Sequence, residues 1–426
     1  MPPVTRPHEP TFEEELEAVH EGDTPIEISA ARAAFRHRDF RVMWLGSLSS
    51  NIGTWMQNVV LGAFAYKLTR SPVYVGVIYF GQLGPALLLS IVGGALADAM
   101  DRRKLIVIAQ TEQLIATLAL TFVALADHPN KVLLFLSVFA VGVGNAINAP
   151  AWAALVPSLV PKDELGGALS LHATQINASR VVGPAIGAVL YQAIGAPGVF
   201  GLNAVTYLFA IIAVLAVAPR PQAKVADGSP GLRRITDGIR VARRDPLVRW
   251  ILLTVTSFSF LCLPFLGQFP TIAADMLGME PKSASYGLLY ATFGLGAVVG
   301  GLSIGTFLGR RNRHAIAQWS IVLMAVMLTV LATLSTPALA YPVAALLGFG
   351  YFATTTSLLT LLQEHLADEV RGRILALWQT GWAGMIPLGN LAAGPIAEWI
   401  SIRFVLVYGA VAAVGLVWYS ARQPFR

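Results

Sequence analysis

Charge is scarce in this chain, so the positions that carry it are the first candidates for chemistry. The stretch Gly94-Ala95-Leu96-Ala97-Asp98-Ala99-Met100-Asp101-Arg102-Arg103-Lys104 puts five charges into seven residues between two long apolar runs. Glu112 and Arg180 stand well inside other apolar runs, and His172 lies one turn into the run that holds Arg180. Side chains of these types make and break ion pairs, bind protons and hold charged ligands. They do not form the arrangements that bond-breaking catalysis needs. There is no nucleophile triad, metal-ligand spacing or phosphate-binding glycine loop, so no cofactor or metal is expected. Gly142-Val143-Gly144 has no strand before it, which makes it helix packing rather than a nucleotide loop.

The elements that position these charges follow from composition. Of 426 residues, 55% are hydrophobic and 13% charged, with a mean hydropathy of +0.63. Soluble chains carry about 25% charge. Apolar runs of about 18 residues or more recur along the whole chain, each able to cross about 30 Å of hydrocarbon as a helix. A soluble multidomain protein is thereby excluded, and an all-α polytopic membrane protein is predicted. The net charge of +6 lies in short connections between spans, so topology explains it and no nucleic-acid partner is expected. The single cysteine, Cys262, sits in an apolar run and reads as core packing.

Twelve spans are predicted, near 42–66, 73–98, 105–126, 132–156, 167–194, 198–218, 250–274, 284–308, 315–335, 338–363, 373–397 and 401–420. With both termini in the cytoplasm, the outside keeps only Lys67, Arg70, Lys131, Lys282 and Arg403 of the loop basic residues, as the positive-inside rule requires. Residues 1–30 carry an acidic cluster from Glu13 to Asp23 and no apolar core of the kind a secretory signal needs, and are expected to form a disordered cytoplasmic tail. Residues 31–218 and 250–420 form two six-span halves. The linker 219–249 joins them, and 421–426 is a second cytoplasmic tail. In the linker Leu232, Ile235 and Ile239 share one helical face, which suits an amphipathic helix on the anionic inner leaflet. The halves look like repeats. Lys162-Asp163-Glu164-Leu165 corresponds to Ala367-Asp368-Glu369-Val370, and Asp101-Arg102-Arg103 to Gly309-Arg310-Arg311, with Thr306 standing near the place of Asp98.

Two six-span halves with Gly94-x-Leu96-x-Asp98-x-x-Asp101-Arg102-Arg103 resemble the major facilitator superfamily and its signature loop. The Asp-Arg-Arg variant resembles the drug:proton antiporter branch that includes macrolide and siderophore exporters. Phe35-Arg36-His37-Arg38-Asp39-Phe40-Arg41-Val42-Met43-Trp44, Asn148-Ala149-Pro150-Ala151-Trp152 and Arg371-Gly372-Arg373 support that branch. Arg180-Val181-Val182-Gly183-Pro184-Ala185-Ile186-Gly187 resembles the antiporter motif of such exporters, although Ser179 and Ala188 replace two of its glycines. The resemblance implies a two-bundle fold with twelve transmembrane helices, a bacterial cytoplasmic membrane, a monomer, and proton-coupled export.

The residues themselves leave alternatives open. Asp98 either anchors topology or closes a cytoplasmic gate against the start of span 11, at Arg371 or Arg373, with Gly94, Asp101, Arg102 and Arg103 shaping the loop. Pro184 bends span 5, while Gly183 and Gly187 permit close packing. Glu112 is a proton carrier or a structural partner, paired with Arg180 or not. His172 is a second titratable candidate. An aromatic, amide-rich pathway is expected from Asn51, Trp55 and Asn58 (span 1), Gln82 (span 2), Asn145, Asn148 and Trp152 (span 4) and Gln175 (span 5). The second half adds Phe258, Phe265 and Gln268 (span 7), Tyr290 (span 8), Thr354 and Thr355 (span 10), and Trp378 and Gln379 (span 11). That lining suits a bulky, partly apolar small molecule. The expected function is a secondary exporter of drug-like compounds driven by protons. The alternatives are a dedicated exporter of an endogenous metabolite such as a siderophore, and a membrane receptor that does not transport.

Overall fold

Helix starts are written into this chain as capping residues. Ser71, Asp101, Asn130, Asp245, Ser283, Asn312 and Ser401 each accept a hydrogen bond from a backbone N–H in the first turn of the helix that follows. Pro72 and Pro246 occupy the first helical position, where a missing N–H costs nothing. The computed structural model describes residues 28–218, 231–308 and 311–423. Most of the predicted 1–30 tail, the first part of the linker, Arg310 and residues 424–426 lie outside the described residues.

The helices are α1 Ile28–Ala34, α2 Arg38–Thr69, α3 Pro72–Ala99, α4 Arg102–Leu125, α5 Lys131–Leu155 and α6 Leu165–Leu215, then α7 Gly231–Arg244, α8 Pro246–Ser257, α9 Ala284–Gly305, α10 Arg313–Thr333, α11 Pro337–His365, α12 Asp368–Gln379, α13 Met385–Trp399 and α14 Ile402–Ala421. Among the described residues, eight helices are long and apolar enough to cross a membrane. The protein is an all-helical membrane protein. Ile115, Phe122, Val132, Val189 and Trp319 are exposed on outer faces, where lipid is the fitting solvent.

Three elements depart from uninterrupted spans. α6 holds both predicted spans 5 and 6, and its arms meet at Gly195, whose φ of 72° a side chain would strain. Predicted span 7 breaks after α8 into π turns at Phe258–Cys262 and Ile272–Met276 with a 3-10 turn at Pro264–Leu266 between them. Pro264 and Pro270 each remove a backbone donor there, so an unbroken ladder cannot form. Predicted span 11 is divided between α12 and α13 by a π turn at Thr380–Gly384.

Helices α2–α6 pack among themselves, and so do α8–α14. Among the described residues, the broadest contacts between the sets are α3 with α13 and α6 with α9; α3 also meets the Thr380–Gly384 turn, and α2 meets Phe269–Thr271. The end that carries Arg38, Arg102 and Arg313 is the basic end; the end that carries Thr69, Pro72 and Trp399 is the far end. The linker helix α7 lies at the basic end against α12, where Gly238 approaches the Arg373 carbonyl. Its Ala242 joins an apolar cluster with Trp250 and Trp378, while Ile239 stays exposed.

Candidate functional site

Arg180 occupies the middle of the first arm of α6, halfway between Leu165 and Gly195. Its guanidinium lies 5.6 Å from the ring centre of Trp55 on α2 and 5.3 Å from that of Phe352 on α11. One aromatic wall therefore comes from each helix set. Among the described residues its one hydrogen bond is weak, from Nη1 to Asn177 Oδ1 at 3.3 Å, and the buried Nε makes none. Phe352 packs edge-on against Tyr351, whose hydroxyl accepts a hydrogen bond from Trp382 Nε1 at 3.0 Å. Trp55 was legible as a cavity candidate; Asn177, Phe352 and Tyr351 were not.

Glycines set how close these walls come. A Cβ on Gly183 would lie 2.6 Å from Trp55 Cβ, and one on Gly187 would lie 2.9 Å from the Met56 carbonyl. Across the joint between the sets, a Cβ on Gly294 would lie 3.0 Å from the Arg180 carbonyl. The antiporter-like motif thus presses α6 onto α2 on one side and receives α9 on the other.

A turn toward the basic end, Gln175 donates to Ser47 Oγ at 2.6 Å and meets His172 Nδ1 at 3.1 Å. Asn51 donates to the Ser47 carbonyl at 3.0 Å and is half-buried, as are Asn58 and Asn145. Asn148 and Thr354 are buried with an unbonded side-chain oxygen, and Thr355 bonds back to the Tyr351 carbonyl at 3.1 Å. Gln82 is buried on α3. Of the other candidates, only Phe258 touches this region, and Trp152, Trp378, Phe265 and Gln379 lie elsewhere. Trp152 sits in the basic-end core with Phe40 and Leu105, and Trp378 in the cluster with Trp250. Phe258 stacks on Tyr351, and Phe265 packs edge-on against Phe293. Gln379 is exposed.

Glu112 does not meet Arg180 in an ion pair. It lines a lateral groove of about 660 Å³ between α4 and α5, with Ile108, Ile115 and Leu136 exposed around it. Among the described residues its buried Oε2 has no hydrogen-bond partner, and it fills the space left by the missing side chain of Gly144, where a Cβ would lie 1.9 Å away.

At the far end, bonds cross between the sets. Tyr66 donates to Asp275, and Ser71 donates to Glu398. Gln268 Nε2 donates to the Pro72 carbonyl at 3.1 Å, and Tyr290 supports this region by donating to the Leu266 carbonyl at 2.8 Å. At the basic end, the described bonds run within a set. Arg102 donates to the Ala154 carbonyl at 2.8 Å, and Arg103 to the carbonyls of Val214 and Leu215. Asp101 caps α4 by accepting from Lys104 N at 2.9 Å. Arg371 donates to the Leu366 carbonyl at 3.4 Å, and Arg373 is exposed. The side chains at Gly94 and Asp98, and with them the expected gate contact, lie outside the described residues. Asp245 meets His365 at 2.7 Å and caps α8. Burial works against its charge, but His365 and the N–H groups of Val248 and Leu247 outweigh it and hold the carboxyl below its ordinary value.

A fold of two packed helix sets, with polar and aromatic side chains where they meet, defines a membrane transporter rather than an enzyme. Residues 29–424 match the family model described as transmembrane secretion effector, and the chain belongs to that family, within the major facilitator superfamily. It is 26% identical over 380 residues to macrolide efflux protein A of Streptococcus pyogenes, covering 85% of this chain and 90% of that one. It is 25% identical over 401 residues to the staphyloferrin A transporter of Staphylococcus aureus, covering 88% and 94%. It is 27% identical over 399 residues to the enterobactin exporter EntS of Escherichia coli, covering 89% and 92%. The fold is similar to that of a bacterial homologue of the iron transporter ferroportin in an inward-facing state (TM-score 0.72, 15% identity, 91% and 99% covered). It is also similar to that of the nucleoside transporter NupG (TM-score 0.70, 12% identity, 90% and 98% covered).

Proposed function

We propose that this chain is a secondary active exporter that moves small, partly apolar molecules outward by alternating access, driven by proton influx. The observation that carries the reading is the Arg180 region, where a half-buried aromatic side chain from each helix set meets the guanidinium at mid-height, beside amides of the first set. A ligand held there touches both sets, so it senses any movement of one against the other. The reading takes twelve crossings in two six-helix bundles, with both termini in the cytoplasm of a bacterial cell and a monomer in its cytoplasmic membrane. The basic end is then the cytoplasmic end. Far-end bonds close the outer side, and Asp98 against the start of span 11 closes the inner side. Glu112 is the favoured proton carrier, since a carboxyl deep in a span with an unbonded oxygen is costly as a charge. His172, held against Gln175, is the second candidate.

Uptake into inverted vesicles tests this. Accumulation of a cargo that collapses with the pH gradient is expected, and accumulation insensitive to that collapse removes the coupling. A second reading, export of one endogenous metabolite such as a siderophore, is favoured by the staphyloferrin A and enterobactin relatives. A deletion strain separates the two: sensitivity to many compounds favours the first, and build-up of a single metabolite inside the cell favours the second.

A further inference from the structure

We propose that Arg180 is an anion-recognition residue, and that the cargo carries a carboxylate or another acidic oxygen beside a ring or apolar body. This deepens the export reading and rests on it for the word cargo. It rests on the geometry for the chemistry.

A guanidinium keeps its charge under all ordinary conditions. Arg180 is roughly 22 Å along its helix from either end of the arm, at 1.5 Å per residue. A cation at that depth is costly unless a counter-charge or water meets it, and such residues face a pathway or a partner. Among the described residues no carboxylate pairs with it, and Glu112 is turned into a different groove. What it has instead is one long hydrogen bond to Asn177, an unbonded Nε, and the faces of Trp55 and Phe352. Aromatic faces hold a guanidinium in place and leave its edge donors unused. Those donors form a planar fork that fits a carboxylate with two parallel bonds. Beside the fork, Trp55 and Phe352 offer apolar surface for a ring. The site therefore has one half of an ion pair and an aromatic seat next to it. A cationic cargo is disfavoured at the same position by like-charge repulsion.

The test uses the full-length protein in lipid nanodiscs and a matched pair of probes, 2-naphthoate and its neutral isostere 2-naphthamide, followed by thermal shift and by quenching of tryptophan fluorescence. The expected result is a preference for the anion of about tenfold or more, the size of one good hydrogen bond to a charged group. Arg180→Gln is expected to bring the ratio to about one, and Arg180→Lys to keep part of it, since the charge remains and the fork is lost. Arg180→Lys also guards against a merely misfolded Arg180→Gln, as does an unchanged elution volume for both variants. Equal binding of the two probes by the wild type, binding of neither, or a full anion preference surviving in Arg180→Gln overturns the proposal. Anion preference without proton-dependent flux in vesicles would sink the export reading and leave this one standing.

Discussion

At the far end Tyr66, Ser71 and Gln268 each donate from one helix set to a carboxylate or backbone carbonyl of the other, whereas the described bonds of Arg102, Arg103 and Asp245 at the basic end stay within their own sets. The first arrangement fastens two bodies together; the second makes each body rigid by itself. A carrier needs both kinds of contact. Under the alternating access proposed above, the crossing bonds break in each cycle, while the internal ones survive it. Tyr66, Ser71 and Gln268 therefore belong to the joint between the sets, and Arg103 and Asp245 to the frame of each.

The largest effect is expected where a glycine at the joint faces backbone of the other set. A Cβ on Gly76 would lie 2.6 Å from the Asn390 carbonyl, and α13 cannot move that carbonyl aside as it would a side chain. Gly76→Val should wedge α3 from α13 at a cost of about 1–3 kcal/mol, a shift of roughly 5- to 150-fold in population. Labelling of an engineered far-end cysteine by an impermeant maleimide reads this directly. The native Cys262 is buried and its thiol donates to the Gly409 carbonyl at 3.4 Å, so it stays silent. Labelling at the wild-type rate in Gly76→Val would mean that the α3–α13 contact does not hold the far end closed. Transport should fall as well.

Next in size is the proposed counterpart at the basic end. Asp98→Asn keeps shape and removes charge. Loss of about tenfold in flux, with unchanged protein in the membrane, is the expectation for a gate contact of about 1.4 kcal/mol. Unchanged flux would return Asp98 to a topology anchor.

Within the far end the two acids should differ. The Tyr66–Asp275 bond is partly buried, and Tyr66→Phe leaves a carboxylate short of a donor, which costs about 1–3 kcal/mol. Far-end labelling should rise several-fold. The Ser71–Glu398 contact is exposed, and Glu398→Gln should change labelling by less than about twofold, because water competes for the same atoms. Reversal of that order would mean that burial does not rank these latches.

The helix starts were legible to within about four residues: span 2 is expected from 73 and α3 begins at Pro72, while span 7 is expected from 250 and α8 begins at Pro246. The breaks after Ser257 and at Thr380–Gly384 were not, since apolar runs of span length read the same with or without a π turn. Facing was the least legible property. Trp55 and Trp152 look alike in sequence, yet one lies over Arg180 and the other lies in core. Spans that are apolar on all sides give no stripe from which to read a direction. The latches were missed for a different reason. Asp275 and Glu398 pair with residues 209 and 327 positions away, and no local pattern reports such a distance.

The smallest effect is expected inside the frame, at Asp245. Asp245→Ala removes a helix cap worth about 1 kcal/mol and the contact with His365. Thermal stability should drop slightly while far-end labelling stays at the wild-type rate, because nothing that crosses the joint is touched. The pH dependence has a definite sign. The carboxyl is held below its ordinary value of 3.8, so its contribution is complete above that value and is lost as pH falls through the lower native one. The stabilities of wild type and Asp245→Ala should therefore differ at neutral pH and converge under acid. A gap that persists unchanged at acid pH would mean that the side chain acts through packing, and a change in far-end labelling would place α8 in the joint rather than in the frame.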